Sequence, residues 1–454
     1  MSEQTRPLAP PDIQLTGRFA LDEVQVYRHV PFSVPAGVSQ IHLDVAYNDR
    51  ISSDKYLTGG NTLDIGLFDE RGSQSGSPGF RGWSGSNKTA ITVGETWSTP
   101  PYRSEPIGAG TWQVLLGPYK IGPKGLDYSV DIWFDPGIEK PQPNRSPILD
   151  LSVATVPPPI EAGWLRGDLH SHSTASDGDS TLLDMLQAAR RAGLDFMGST
   201  DHNAAVLPEA PDDPNLPLLI PGIEVTTYKG HWNVWGANRW FDFRLPDGEA
   251  VRAEMQIARN AGGFVSANHP KPFGPPWEYG FGLGYEGIEV WNGYWQSLNT
   301  ISLAAWDAHL AAGQRVVAMA GSDTHFLRGE DQGALRRATI GHPTMWVKPD
   351  DSPSATSVLD ELRAGRSFIS ASPSGPQMLI DRTGDRDVSI RTGGAMGLIL
   401  ALISSGTVIS ATAVDSELWD QEFRVPASAT HVRAQLMDSC GNVEALTNAV
   451  WLDG

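Results

Sequence analysis

Between residues 165 and 325, five short apolar segments run directly into histidine or carboxylate residues, and no other feature constrains the fold of this chain as much. The first ends in Leu169-His170-Ser171-His172, with Asp177 following in Ser176-Asp177-Gly178. The second ends in Ser199-Thr200-Asp201-His202, and the third in Gly222-Ile223-Glu224, followed by Gly230-His231. The fourth ends in Ala267-Asn268-His269-Pro270, and a later one in Gly321-Ser322-Asp323-Thr324-His325. On an extended strand, residues i and i+2 point the same way, so His170 and His172 can aim at one point. Helical spacing recurs between these segments, over 181–192, 251–261, 303–312 and 358–364, each time followed by glycine and an apolar strand. Ser180 reads as the N-cap of the first helix and Gly193 as its C′ residue. Buried strands alternating with helices make an α/β domain, either a barrel or a doubly wound sheet. In a barrel of parallel strands, the C-terminal strand ends share one face, and the scattered polar residues become one cluster.

The flanking regions follow another pattern. Apolar residues alternate with polar ones over 39–47, 62–69, 111–116 and 128–134, with Gly, Ser, Asn and Pro between, which predicts an antiparallel β-sandwich over residues 1–134. The sandwich sequence shows no catalytic cluster, and its His29 and His42 read as structural or surface residues. Seven prolines between Pro136 and Pro159 make 135–163 a stiff linker. The α/β region then spans 164–372, and short β patterns over 398–403, 408–411, 430–436 and 449–452 predict a small C-terminal β domain over 373–454.

Charge and composition narrow the partners. A net charge of -19 repels phosphate backbones and argues against broad nucleic-acid binding. No apolar run approaches the roughly 20 residues of a membrane-spanning helix. Residues Met1–Pro7 carry no apolar signal, and Cys440 is the only cysteine, which fits a reducing cytoplasm.

The strand-end cluster contains imidazoles and carboxylates without a thiolate, a donor set suited to Zn, Mn or Fe(II). It holds too many ligands for one four-coordinate ion. Two or three divalent ions, bridged by a carboxylate and a water-derived hydroxide, use them better, and such a centre is a hydrolytic device. His309 lies in a helix and His342 beside a proline, and both fall outside the site.

The ordered set His-x-His, Ser-Asp-Gly, Thr-Asp-His, Gly-x-Glu, Gly-His, Asn-His-Pro and Ser-Asp-x-His resembles the PHP superfamily (polymerase and histidinol phosphatase). The wording of 167–172 and 224–233 is similar to its CehA/McbA branch of metallohydrolases. The resemblance covers about residues 164–372. It implies a distorted seven-stranded β/α (TIM-like) barrel with up to three metal ions. Carried over, the ligands are His170, His172, Asp177, His202, Glu224, His231, His269, Asp323 and His325, with Glu224 as the bridging carboxylate. The catalytic group is Asp201, His202, Glu224 and Asp323, where Asp201 reads either as an orienter of His202 or as a strand-end cap.

On the substrate side, Lys271 and Arg328 read as anion contacts or as plain surface residues. Trp277 and Trp291 read as pocket walls or as packing. The expected function is metal-dependent hydrolysis of a small-molecule ester, phosphoester or aryl carbamate. The alternative is a non-catalytic, metal-stabilised protein whose sandwich binds a glycan or partner. The acidic charge disfavours a polymerase-associated proofreading module, and a homo-oligomer is compatible with the sequence.

Overall fold

A computed structural model describes residues 6–54, 56–141, 155–272, 275–328, 339–349 and 352–452. The first part consists of two four-stranded antiparallel sheets. One runs in the order Ile13–Phe19, Leu126–Phe134, Gln40–Tyr47, Ala90–Gly94, and the other Arg28–Val34, Gly110–Lys120, Thr62–Phe68, Phe80–Gly85. Ile41, Leu43 and Val45 from the first sheet meet Leu63, Ile65 and Leu67 from the second in one buried core. The strand Thr62–Phe68 is buried at every position. Its alternation does not mark a solvent face, because its second side lies against the central domain. Phe68, Phe80 and Trp83 share a core with Trp240 and Phe243, and the rings of Phe80 and Trp240 lie 4.7 Å apart. Rings of this size contribute about 1.5–3 kcal/mol each on full burial, so the two parts form one hydrophobic unit.

The central sheet follows the path Leu165–Asp168, Phe196–Ser199, Leu218–Thr227, Gly230–Trp235, Phe264–Ala267, Gly287–Asn292, Val317–Gly321. Adjacent strands are parallel except at Gly230–Trp235, which pairs antiparallel on both sides. The path curls so that its two ends meet. Ser171 and Thr324 form a parallel bridge, the Asp323 amide donates to the His170 carbonyl at 2.9 Å, and the His172 amide donates to the Thr324 carbonyl at 2.9 Å.

The expected regular β/α alternation needs correction. The described residues contain four α-helices, Leu182–Arg191, Gly248–Asn260, Asn299–Ala311 and Ala355–Arg363, against twenty-five strands. A two-residue turn, Tyr228-Lys229, replaces a crossover helix where the strand direction reverses. None of these helices is long and apolar enough to cross a membrane. The first helix is capped by Thr181, whose Oγ1 accepts from the Asp184 amide at 3.2 Å, not by Ser180 one residue earlier.

The C-terminal region is not separate in its hydrogen bonding. Val443–Thr447 pairs with Ser367–Ser370, so the large sheet runs across the expected boundary at 372, while Gln377–Arg382, Asp387–Gly393 and Leu418–Arg424 form a small sheet of their own. Residues 142–154 of the expected linker lie outside the described residues.

Candidate metal centre

The strand ends deliver the side chains to one point. His170 and His172 follow Leu165–Asp168, His202 follows Phe196–Ser199, and Glu224 lies in Leu218–Thr227. His231 is the second residue of Gly230–Trp235, His269 follows Phe264–Ala267, and Asp323 and His325 follow Val317–Gly321. Glu224 sits at the middle. Its Oε1 lies 3.4 Å from His170 Nε2, 3.2 Å from His231 Nδ1 and 3.3 Å from His269 Nε2. Its Oε2 lies 3.4 Å from His172 Nε2 and 2.9 Å from His202 Nδ1. Asp323 Oδ1 stands 3.0 Å from His172 Nε2 and 3.4 Å from His170 Nε2. Asp177 Oδ1 stands 3.6 Å from His202 Nε2 and 3.4 Å from His325 Nε2.

His231 Nδ1 and His269 Nε2 hydrogen-bond Glu224 Oε1, but most of these atoms approach one another without a hydrogen bond. His170 Nε2, His172 Nε2, Asp177 Oδ1, Glu224 Oε2 and Asp323 Oδ1 are all buried with no hydrogen-bond partner. Buried polar atoms left unpaired in this way need an explanation, and a shared cation supplies one. Donors about 2.1 Å from a tetrahedral ion lie roughly 3.4 Å apart, the spacing seen here. Three overlapping groups meet the requirement: His172, Asp177, His202 and His325; His170, His172, Glu224 and Asp323; and His202, Glu224 and His231. His269 approaches Glu224 but stands outside all three groups.

Neighbouring groups aim these side chains. Glu289 Oε1 lies 2.8 Å from His170 Nδ1, which leaves Nε2 directed at the centre, and its Oε2 accepts from the His269 amide at 3.0 Å. The Asp323 carbonyl accepts from His325 Nδ1 at 2.8 Å, and Asn268 Nδ2 donates to Glu224 Oε1 at 2.8 Å. Two of the expected ligands sit on left-handed backbone, His269 at φ 29° and Asp323 at φ 56°, each at a cost of about 1–3 kcal/mol that the surrounding packing sustains. Gly321 lets its strand approach the first: a Cβ there would lie 2.2 Å from His170 Cβ. Gly321→Ala is expected to destabilise the chain by about 1–3 kcal/mol and to weaken metal uptake. A melt and a metal titration within error of wild type would contradict this.

Electrostatics set the protonation states. Burial alone would raise the Glu224 carboxyl, but the charges of His170, His231 and His202 hold it well below the usual range. Burial would likewise raise Asp323, which the neighbouring imidazoles of His170 and His172 hold down. Burial lowers His172 to about 4, helped by His325 and His202. Burial would lower His202 too, but Asp177 and Glu224 push it up to about 9. Without cations His202 is therefore protonated at pH 7, whereas a metal ligand must be neutral. Metal binding at pH 7 is expected to release protons, and apparent affinity should climb as pH rises above 7 and His202 gives up its proton. Calorimetry in buffers of different ionisation enthalpy reads this directly; zero proton release at pH 7 would contradict it.

The remaining expected site residues fall elsewhere. Asp201 behaves as a strand-end cap: it accepts from the Ser173 amide at 2.7 Å, Ser173 Oγ at 2.9 Å, Ser176 Oγ at 2.7 Å and Ser199 Oγ at 3.1 Å. Thr226 Oγ1 and Glu224, not Asp201, meet the His202 Nδ1 side. Lys271 is buried, donating to the Asn292 carbonyl at 3.0 Å and Asn299 Oδ1 at 2.8 Å. Arg328 forms a 2.7 Å ion pair with Asp184 at the start of the first helix. Trp291 is buried against Trp295, with ring centroids 4.8 Å apart. Trp277 is half-buried, and the close approach of its ring leaves no room for a Cβ at Gly230, beside His231.

Sequence reasoning missed Glu289, Asn268 and Asn87-Lys88. Glu289 carried a faint signal, as a carboxylate inside an otherwise apolar strand. Lys88 carried none: it belongs to the sandwich, yet its Nζ hydrogen-bonds the Ser176 carbonyl and reaches the Thr174 carbonyl at 3.4 Å.

Comparison with known proteins gives partial likenesses. No family model matches the chain. Over 44 residues it is 46% identical to the DNA polymerase/3'-5' exonuclease PolX of Bacillus subtilis, a stretch that is 10% of this chain and 8% of that protein. Among solved structures, it is similar to a two-domain protein of Bacteroides vulgatus described as containing a predicted PHP-like metal-dependent phosphoesterase. That likeness has 16% identity and a TM-score of 0.36, covering 69% of this chain and all of that one. DesR, a β-glucosidase of Streptomyces venezuelae, aligns at 10% identity and a TM-score of 0.17, over 99% of this chain and 48% of that one.

Proposed function

We propose that this chain is a metal-dependent hydrolase of the PHP type that cleaves a small-molecule phosphoester. The observation that carries this reading is the convergence of partnerless imidazole and carboxylate atoms around Glu224. The ordered motif set supports the PHP type, and a phosphoester is the substrate class put first because of it. The wording of 167–172 and 224–233 supports the CehA/McbA branch and keeps an aryl carbamate as the second substrate class.

Three donor groups sharing His172, His202 and Glu224 suit two or three divalent cations of the Zn, Mn or Fe(II) class. Bound there, such cations supply Lewis acidity, activating water and neutralising charge on the scissile group. The protein's own residues fix the frame. Glu224 would join the donor groups, Glu289 and the Asp323 carbonyl hold the His170 and His325 rings, and Asn268 holds Glu224. The cluster is sealed at His170, His172 and Glu224, whose side chains are 0–1% exposed, and open at Asp177, Asp323 and His325, at 38%, 26% and 21%. Substrate would enter on that open side. A fully saturated, closed site would suit a stabilising ion; an open edge suits chemistry.

The test is a panel of phosphomonoesters, phosphodiesters, aryl carbamates and carboxyl esters, run on full-length protein loaded with Mn²⁺ or Zn²⁺ at measured stoichiometry. Chelator-sensitive turnover of a phosphoester is the expected result. Fully loaded protein with no turnover on the whole panel would sink the enzyme reading and leave the metal-stabilised binding protein.

A further inference from the structure

The loop from Ser173 to Asp179 has no regular structure, yet it carries Asp177, whose side chain is the most exposed of the carboxylates in the cluster. A ligand on such a loop holds its place only if the loop is fixed from outside. From one side Asp201 does this through Ser173 and Ser176. From the other side the grip comes from a different part of the chain. Asn87 and Lys88 lie in the turn between the sandwich strands Phe80–Gly85 and Ala90–Gly94. Asn87 Nδ2 donates to the Ser176 carbonyl at 3.2 Å, and Lys88 Nζ donates to the same carbonyl while reaching that of Thr174. The carbonyls of residues 174 and 176 bracket the approach to Asp177, and the ammonium places a positive charge beside that carboxylate.

Three further contacts show the sandwich seated against the rim of the centre. Tyr27 and Tyr119 stack on Tyr228, at centroid distances of 4.9 and 5.8 Å, in the turn before His231. Tyr56 OH donates to the Pro272 carbonyl at 3.2 Å, in the segment after His269. Three loops next to proposed ligands thus rest on one domain that itself supplies no ligand to the three donor groups.

We propose that the N-terminal sandwich is a working part of the metal centre, with Lys88 as the positioning residue for Asp177 and for the open-side cation position bounded by His172, Asp177, His202 and His325. The inference rests on the reading of these residues as metal ligands. Lys88 acts by fixing the Thr174 and Ser176 carbonyls, which set the path of the loop. Residues that orient a ligand from outside the coordination shell typically change metal affinity 10–100-fold when removed.

The experiment uses full-length wild type, Lys88→Met, Lys88→Arg and Asn87→Ala. Zn²⁺ content after dialysis is read by elemental analysis, and affinity by competition with a chromophoric chelator. Lys88→Met keeps most of the side-chain length but removes the charge and donors. It is expected to lose about one ion per chain, or to bind one ion about 10–100-fold more weakly. Lys88→Arg should restore much of the loss, and Asn87→Ala should show a smaller loss of the same sign, which a loss of folding would not produce. Matching thermal melts exclude global unfolding. If wild type loads Zn²⁺ and Lys88→Met loads equally with unchanged affinity, the positioning role is overturned while the metal centre stands. If wild type binds neither Zn²⁺ nor Mn²⁺, the metal centre and this inference fall together.

Discussion

Glu224→Gln is expected to cut hydrolysis by on the order of 10³-fold, since removing one preorganised charge at a reacting centre typically costs 10²–10³-fold and this one is shared between donor groups. Its two oxygens meet imidazole nitrogens of His170, His231 and His269 on one side and of His172 and His202 on the other. The amide keeps the volume but exchanges one acceptor for a donor and removes a full charge. Two of the three donor groups lose a member at once. Metal content should fall together with activity, which distinguishes this variant from a purely catalytic lesion. Elemental analysis beside steady-state kinetics checks both. A variant with full metal content and turnover within tenfold of wild type would remove Glu224 from the centre of the scheme.

Stripping the cations is expected to lower the melting temperature by about ten degrees while leaving the chain folded. A ligand that binds only the native state at about 1,000 times its dissociation constant stabilises by about 4 kcal/mol, and a region of this size shifts by roughly 2–4 °C per kcal/mol. The physical origin is local. Without cations, Asp177, Glu224 and Asp323 and their imidazoles must satisfy one another at 2.9–3.6 Å, with several atoms unpaired. Scanning calorimetry before and after chelation, and again after Mn²⁺ or Zn²⁺ is restored, measures the change. A melt unchanged by verified removal of the metal would contradict it. Recovery on repletion separates the effect from irreversible damage.

The clustering of imidazoles and carboxylates was legible in the sequence because each member lies within a few residues of an apolar strand end, where side-chain chemistry and local period suffice. The grouping of His170, His172, Glu224 and Asp323 required only that strand ends share a face, a rule independent of detailed packing. The residues around them were not legible to the same degree. Lys271 and Arg328 had the right charge for anion contacts, but burial joined Lys271 to Asn299 and Arg328 to Asp184. Asp201 had two readings, and only the positions of three serines separated them. The turn at Tyr228-Lys229 reverses a strand inside what the helix–strand rhythm presents as a regular alternation.

By itself, then, the sequence determined which donor side chains gather at the strand ends, because donor type and strand periodicity are properties of short windows. The tertiary structure alone decided what aims and encloses that chemistry. Glu289 meets His170 across 119 residues of chain, and Lys88 meets Ser176 across 88. Such contacts exist only once two surfaces have docked, and the docking is set by the shared aromatic core of Phe68, Phe80, Trp240 and Phe243, whose pairing no short window of sequence specifies.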